Sequence, residues 1–276
     1  MYSTILLAVD GSDYSEWSRK LAVSMLAPGG RINLIHVIDI VALEGTFLQD
    51  LSGAIGVEPY MSLSPKLEKI LRDKGQATLD YHKGFLDKEG IACKAEMASG
   101  IIANEIAKKA NECEVVVIGQ RGANARFHAG LAGSVSEVML RRSPRPVVIV
   151  PGEPTTPIQK VLLGFDGSAP SSRSMTEADR ICRANNLSLT VLTIDDVASD
   201  AESILAEARD FFSHAKYPIE FSARAGSVNE VLLREAAHHD LMVVGAHGHR
   251  RIVEFVIGST TAYLLRNITV PTLFHR

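Results

Sequence analysis

Gly245-Ala246-His247-Gly248, followed nine residues later by Gly258-Ser259-Thr260-Thr261, has residue types and spacing that could hold a phosphate chain. Glycine lets backbone N–H groups approach a ligand closely, because no Cβ stands between them. The first turn of a helix adds N–H groups without intrahelical partners and the positive end of a dipole, a ready anion site. Ser259, Thr260 and Thr261 would contribute hydroxyl donors. An ordinary loop closed by an N-cap has the same local composition, so the stretch alone does not decide. Its near-copy raises the odds: Gly119-Gln120-Arg121-Gly122, then ten residues, then Gly133-Ser134-Val135-Ser136. The added residue lies in a more apolar connection, Ala125 to Ala132 with a further glycine at Gly130, and makes the first copy the poorer match.

A carboxylate accompanies each copy. Asp10-Gly11-Ser12 ends the apolar run Ile5–Val9, and Asp166-Gly167-Ser168 ends Val161–Phe165. Asp10 and Asp166 could accept hydrogen bonds from ribose hydroxyls or hold a Mg²⁺ that bridges phosphates. Asp-Gly-Ser is also an ordinary turn, with the carboxylate as cap. Gly248 and Gly258 would bring backbone to phosphates, and Gly245 would allow approach to the sugar. His247, His249, Arg250 and Arg251 either add positive charge beside a triphosphate or are exposed loop residues. No metal-ligand spacing is readable, and the Gly-x-Ser-x-Gly, Walker and dinucleotide glycine patterns are absent.

The elements that must position these residues alternate. Strands are expected at 5–9, 32–38, 93–97, 115–118 and 146–150, and again at 161–165, 187–194, 219–225, 241–244 and 270–274. Helices are expected at 15–26, 65–89, 101–111 and 133–142, then at 171–185, 198–215 and 228–238, with the last opening at the Gly258 motif. Apolar spacing and the Gly and Pro stops set these bounds. Ile40 to Ser64 has no clean period and reads as an insertion, and Pro151 to Pro157 reads as a linker.

The offsets support a duplication. Asp10 and Asp166 differ by 156, Gly119 and Gly245 by 126, and Pro146 and Pro271 by 125, so the first half carries about thirty extra residues in its middle. Domains at 1–151 and 158–276 are expected, with the linker at 152–157. Short buried strands alternating with helices argue for an α/β fold, a doubly wound parallel sheet covered on both faces. In such sheets ligands bind beyond the C-terminal strand ends, where strand order reverses. If the first and fourth strands of each half are neighbours there, the aspartate and the glycine motif line one crevice.

Composition agrees with a globular protein of two ordinary domains: 276 residues, 46% apolar, 22% charged, net charge −3. Scattered Lys and Arg give no nucleic-acid footprint. No signal-peptide pattern or bilayer-length apolar run is visible, and the dispersed Cys93, Cys113 and Cys182 read as reduced thiols of a cytoplasmic protein.

These motifs resemble the universal stress protein family, in its tandem form with two domains in one polypeptide. The specific feature is the family's ATP-type pattern, Gly-x2-Gly-x9-Gly-[Ser/Thr], met in full by Gly245, Gly248, Gly258 and Ser259 and by the first half apart from one added residue. The resemblance implies two doubly wound, Rossmann-like domains of strand order 3-2-1-4-5 and binding of ATP or AMP, with Mg through the nucleotide. Carried over by position, Asp10 and Asp166 match the acidic residue near ribose and metal, and Val37 and Ile194 match a backbone contact to adenine. Gly122, Gly133, Ser134 and Ser136, like Gly248, Gly258, Ser259 and Thr261, match phosphate contacts. The resemblance also implies pairing of the halves through their last strands, Val147–Val150 and Pro271–Phe274, with further association into a homodimer.

Three functions follow as expectations. The first is an adenine-nucleotide-binding stress-response or signalling protein without efficient catalysis, since no base, nucleophile or arginine finger accompanies the cradle. The second is slow ATP hydrolysis or nucleotidyl transfer. The third is a protein-interaction module using the apolar insertion at 40–64.

Overall fold

The computed structural model describes residues 1–39, 60–123, 134–246 and 258–276. Among them ten strands form a single sheet, in two runs of identical order. The first half contributes β1 (Tyr2–Ala8), β2 (Leu26–Asp39), β3 (Ala92–Gly100), β4 (Val115–Gly119) and β5 (Val147–Val150). The second contributes β6 (Lys160–Gly164), β7 (Ser188–Ile194), β8 (Ile219–Arg224), β9 (Leu241–Gly245) and β10 (Thr272–His275). The sheet runs β3-β2-β1-β4-β5-β10-β9-β6-β7-β8. Each half is thus a parallel 3-2-1-4-5 unit. The two meet where β5 and β10 pair antiparallel, Val147 opposite Phe274, Val148 opposite Leu273 and Ile149 opposite Thr272.

Helices α1 (Asp13–Met25), α2 (Tyr60–Lys88), α5 (Ala169–Asn185) and α6 (Ala198–Phe211) supply buried side chains to one core cluster. Helices α3 (Ile102–Ala110), α4 (Ser134–Arg142), α7 (Val228–Ala236) and α8 (Ser259–Asn267) supply the other. The period of two along each strand divides its side chains between these cores. In β1, Ile5 and Leu7 join the first cluster and Leu6 the second; in β9, Leu241 and Val243 oppose Met242 and Val244 in the same way. Both faces are buried because both are covered by helices, which is why these strands read as unbroken apolar runs.

Two expected boundaries move. β2 begins at Leu26, directly after α1, so Pro28-Gly29-Gly30 lies within an extended segment. Pairing passes from Tyr2–Leu26 to Thr4–Arg31, and the surplus residues on β2 are taken up as an irregularity. α2 begins at Tyr60, five residues before Pro65. A proline this near a helix start forfeits a single i→i−4 bond, and the preceding turn forms all the same. Of the expected insertion, Ile40 to Pro59 lies outside the described residues and 60–64 belong to α2.

Candidate nucleotide site

In both halves the first and fourth strands are neighbours. β1 pairs with β4 (Leu6 with Val116, Leu7 with Val117), and β6 pairs with β9 (Leu163 with Val243, Gly164 with Val244). The strand order therefore reverses between the element that ends at Asp10 or Asp166 and the element that ends at Gly119 or Gly245, and each half has its crevice there.

In the second half, Asp166 is exposed beyond β6 and accepts the Ser168 N–H at 3.0 Å. Gly167 makes the turn with φ of +74°, which glycine adopts without the Cβ penalty of other residues. Ser168 caps α5, its hydroxyl accepting the Ser171 N–H at 3.3 Å. Gly245 has a packing reason to be glycine: a Cβ there would stand 2.6 Å from Ser171 N and 2.8 Å from the Pro170 carbonyl carbon. The first turn of α5 thus passes directly over Gly245 at the end of β9.

Gly258 is the N-cap of α8 with extended backbone, and its carbonyl accepts the Ala262 N–H at 2.9 Å. Having no side chain, Gly258 itself offers no cap to the first N–H groups of the helix. Ser259 is exposed, Thr260 is half-buried and Thr261 is buried. Ile194 is the last residue of β7, half-buried and paired with Arg224. Gly248, His247, His249, Arg250 and Arg251 lie outside the described residues.

The first crevice is built on the same plan but is locked from within. Asp10 Oδ1 accepts the Ser12 N–H at 3.0 Å, the Ser12 hydroxyl at 2.6 Å and the Ser15 hydroxyl at 2.8 Å. Asp10 Oδ2 accepts the Ala123 N–H at 2.6 Å. Burial pushes the Asp10 carboxyl up, yet the hydrogen bonds from Ser12, Ser15 and Ala123 outweigh it and hold the pKa below the ordinary value. A Cβ on Gly122 would stand 2.5 Å from Asp10 Oδ2, so glycine there is what lets the carboxylate reach the loop. Gly119 is in turn crowded by Tyr14 Cβ, 2.6 Å from the position its own Cβ would take.

Ser136 is buried and donates its hydroxyl to the Gln120 carbonyl at 3.0 Å, binding α4 to the loop after β4. Val135 is half-buried and packs on the second core. Ser134 opens α4, and Gly133 lies outside the described residues. Val37 is half-buried late in β2, opposite Ala98.

One residue at this site is missed by motif spacing. Gln120 sits between the two glycines of the first turn, is buried, and donates its side-chain amide to the Leu265 carbonyl of α8 at 2.6 Å. The available signal was the mismatch with Ala246, the residue at the same offset in the second copy. Among the described residues no group of three or more His, Cys, Asp or Glu side chains converges as a metal site. No helix among them is long and apolar enough to cross a membrane.

A doubly wound sheet with an aspartate turn and a glycine-ended strand side by side at each switch point defines a class of nucleotide-fold-like α/β protein. The model of the universal stress protein family matches residues 1–151 and 214–276. The chain belongs to the universal stress protein family. It is similar to a universal stress protein of Synechocystis sp., 30% identical over 285 residues that cover 99% of each chain. A universal stress protein of Mycolicibacterium smegmatis is 25% identical, over 99% of this chain and 96% of the relative. The crystal structure of a universal stress protein from Archaeoglobus fulgidus superposes with a TM-score of 0.78 at 19% identity, covering 99% of this chain and 98% of that one, which shows the fold.

Proposed function

We propose that this protein binds adenine nucleotides, ATP or AMP, and serves in stress response or signalling without efficient catalysis. The observation that carries the reading is the placement of α8. Its N-terminal turn, capped only by Gly258 and bearing Ser259, Thr260 and Thr261, follows the β9 motif across the β6–β9 switch point from Asp166. Orphan N–H groups, a positive dipole end and hydroxyls suit a phosphate chain. A carboxylate on the opposite wall suits ribose hydroxyls, or a Mg²⁺ carried in with the nucleotide.

In this reading Asp166, Ile194, Gly248, Gly258, Ser259, Thr260 and Thr261 form the second site, and Gly245 serves it by bringing α5 close. Asp10, Val37, Gly119, Gly122, Gly133, Ser134, Val135 and Ser136 form the first. The second is the stronger site. In the first, a ligand that used Asp10 or the Ala123 N–H would have to displace the bond between them.

The proposed domains are 1–151 and 158–276, joined by 152–157 and acting as an intramolecular pair. The antiparallel β5–β10 register supports that pairing. A cytoplasmic place is part of the proposal, supported by three unpaired thiols, Cys93, Cys113 and Cys182.

Isothermal titration of the purified chain with ATP and AMP, together with mass spectrometry of nucleotide released on denaturation, tests the reading. Binding that is lost in Gly258→Val is the expected result. An empty protein with no detectable heat at millimolar ligand would overturn it.

A further inference from the structure

Two side-chain contacts between the halves, which motif spacing does not show, end on the helices that open at the glycine motifs. α4 and α8 are the helices whose first turns face the crevices, and each has nine residues. Such a helix is a rod of about 13 Å. The carbonyls of its last turn have no intrahelical partners. In both helices one of those carbonyls is capped by a side chain from the other half.

In α8 the Leu265 carbonyl accepts the Gln120 amide at 2.6 Å. Gln120 is part of the loop of the first crevice. Its N–H donates to the Val150 carbonyl at 2.8 Å, and its carbonyl accepts the Ser136 hydroxyl of α4 at 3.0 Å. In α4 the Arg141 carbonyl accepts the Arg276 guanidinium. Arg276 is held in turn by Arg173 of α5, which donates to its backbone oxygen, and α5 starts immediately after the Asp166 turn. The Arg145 N–H, which would continue the ladder to Arg141, is bonded to the Ser143 hydroxyl instead.

Neither cap is a product of the duplication. At the matching offsets, Gln120 corresponds to Ala246 and Arg276 to Pro151, so each half uses a residue that the other lacks.

We propose that the two crevices are thermodynamically coupled through this reciprocal capping, so that a nucleotide in one changes the affinity of the other. The inference rests on the nucleotide reading above and adds its regulation. A phosphate drawn onto the first turn of α4 or α8 moves a short rigid rod along its axis. The carbonyl at the far end then moves against a donor from the opposite half, the buried Gln120 amide for α8 and the exposed Arg276 guanidinium for α4. Gln120 carries the displacement from the first crevice to the second helix, and Arg276, tied to α5, carries it the other way. By linkage the effect is the same in both directions.

The test is a two-site titration of the full chain with ATP. Gly122→Val closes the first crevice, because its side chain meets Asp10. The dissociation constant of the second site is compared in the wild type, with the first site filled, and in Gly122→Val, with it empty. A ratio of about fivefold is expected, the lower end of typical coupling. The same ratio is then measured in a background carrying Gln120→Met and Arg276→Ala, which removes both donors. It should fall to one, with either single substitution giving an intermediate value. Because the single variants remove the contact from opposite halves, poor folding of one leaves the other to report.

A ratio of one in the wild type, or a ratio unchanged in the double background, overturns the coupling. One equivalent of ATP at saturation also overturns it while leaving nucleotide binding standing. No ATP bound at either crevice brings down the nucleotide reading itself and the coupling with it.

Discussion

Acid should weaken this protein through one imidazole. His82 of α2 is 2% exposed, and its Nδ1 has no hydrogen-bond partner. Around it stand Arg19 and Glu16 of α1, Asp10 at the end of β1, and its neighbour on α2, Tyr81, whose ring meets the imidazole edge-on at 5.2 Å. Arg19 is itself buried, paired with Glu16 at 2.8 Å and stacked on Phe85 with its guanidinium carbon 4.2 Å from the ring centre. Burial first, and the Arg19 charge second, lower the His82 pKa from 6.5 to about 4, against the opposing pull of Glu16 and Asp10.

The native state therefore keeps this imidazole neutral where the unfolded chain protonates it. Above pH 6.5 both states are neutral and the full stability is present. Between 6.5 and about 4 only the unfolded chain binds the proton, and stability falls by about 1.4 kcal/mol per pH unit. Below about 4 both states bind it and the loss levels off near 3 kcal/mol. Urea melts of the wild type and of His82→Leu, followed by far-ultraviolet circular dichroism from pH 7.5 to 4, isolate this contribution, since the other acid-sensitive groups are common to both. The curves should converge or cross by about 3 kcal/mol over that range. Parallel curves, or an NMR titration that places the His82 imidazole near 6.5 in the folded protein, would refute the reasoning.

Two further predictions concern packing. Gly245→Val should destabilise by at least about 2 kcal/mol, because its Cβ would enter the backbone of Pro170 and Ser171 and those atoms cannot swing aside; thermal melts read this directly. Tyr2→Phe removes the donor that meets buried Glu177 Oε2 at 2.6 Å and should cost about 1–3 kcal/mol at neutral pH, the penalty of a buried acceptor left without its partner. Denaturant midpoints of the variant equal to the wild type would show that Glu177 finds another donor.

The alternation of buried strands and amphipathic helices was legible in the chain, and so was its recurrence in a second half, because both are carried by short-range periodicity and by glycine and proline punctuation. The 3-2-1-4-5 order came from family resemblance, and the sheet shows it in both halves. Boundaries drifted where local signals compete with pairing. β2 starts at Leu26 in spite of Pro28-Gly29-Gly30, since an extended segment needs no helix-forming residues and can take up an irregularity against β1. α2 starts ahead of Pro65, because a proline stops a helix less firmly near its beginning than in its middle.

At the crevices, spacing proposed Asp10, Asp166 and the two glycine motifs; among the described residues each aspartate turn and the glycine that ends the fourth strand, Gly119 or Gly245, lie at the ends of neighbouring strands, because strand ends in a parallel sheet gather at one edge. What those residues touch was decided only by the tertiary structure. The Asp10 carboxylate is engaged by Ser12, Ser15 and Ala123, the last of them 113 positions away. Gly245 is glycine on account of a helix that crosses it, and Gln120 reaches a carbonyl 145 positions along the chain. A sequence writes down which groups are available and with what period they recur. Which donor meets which acceptor depends on how rods and strands pack across long separations, and no local pattern contains that.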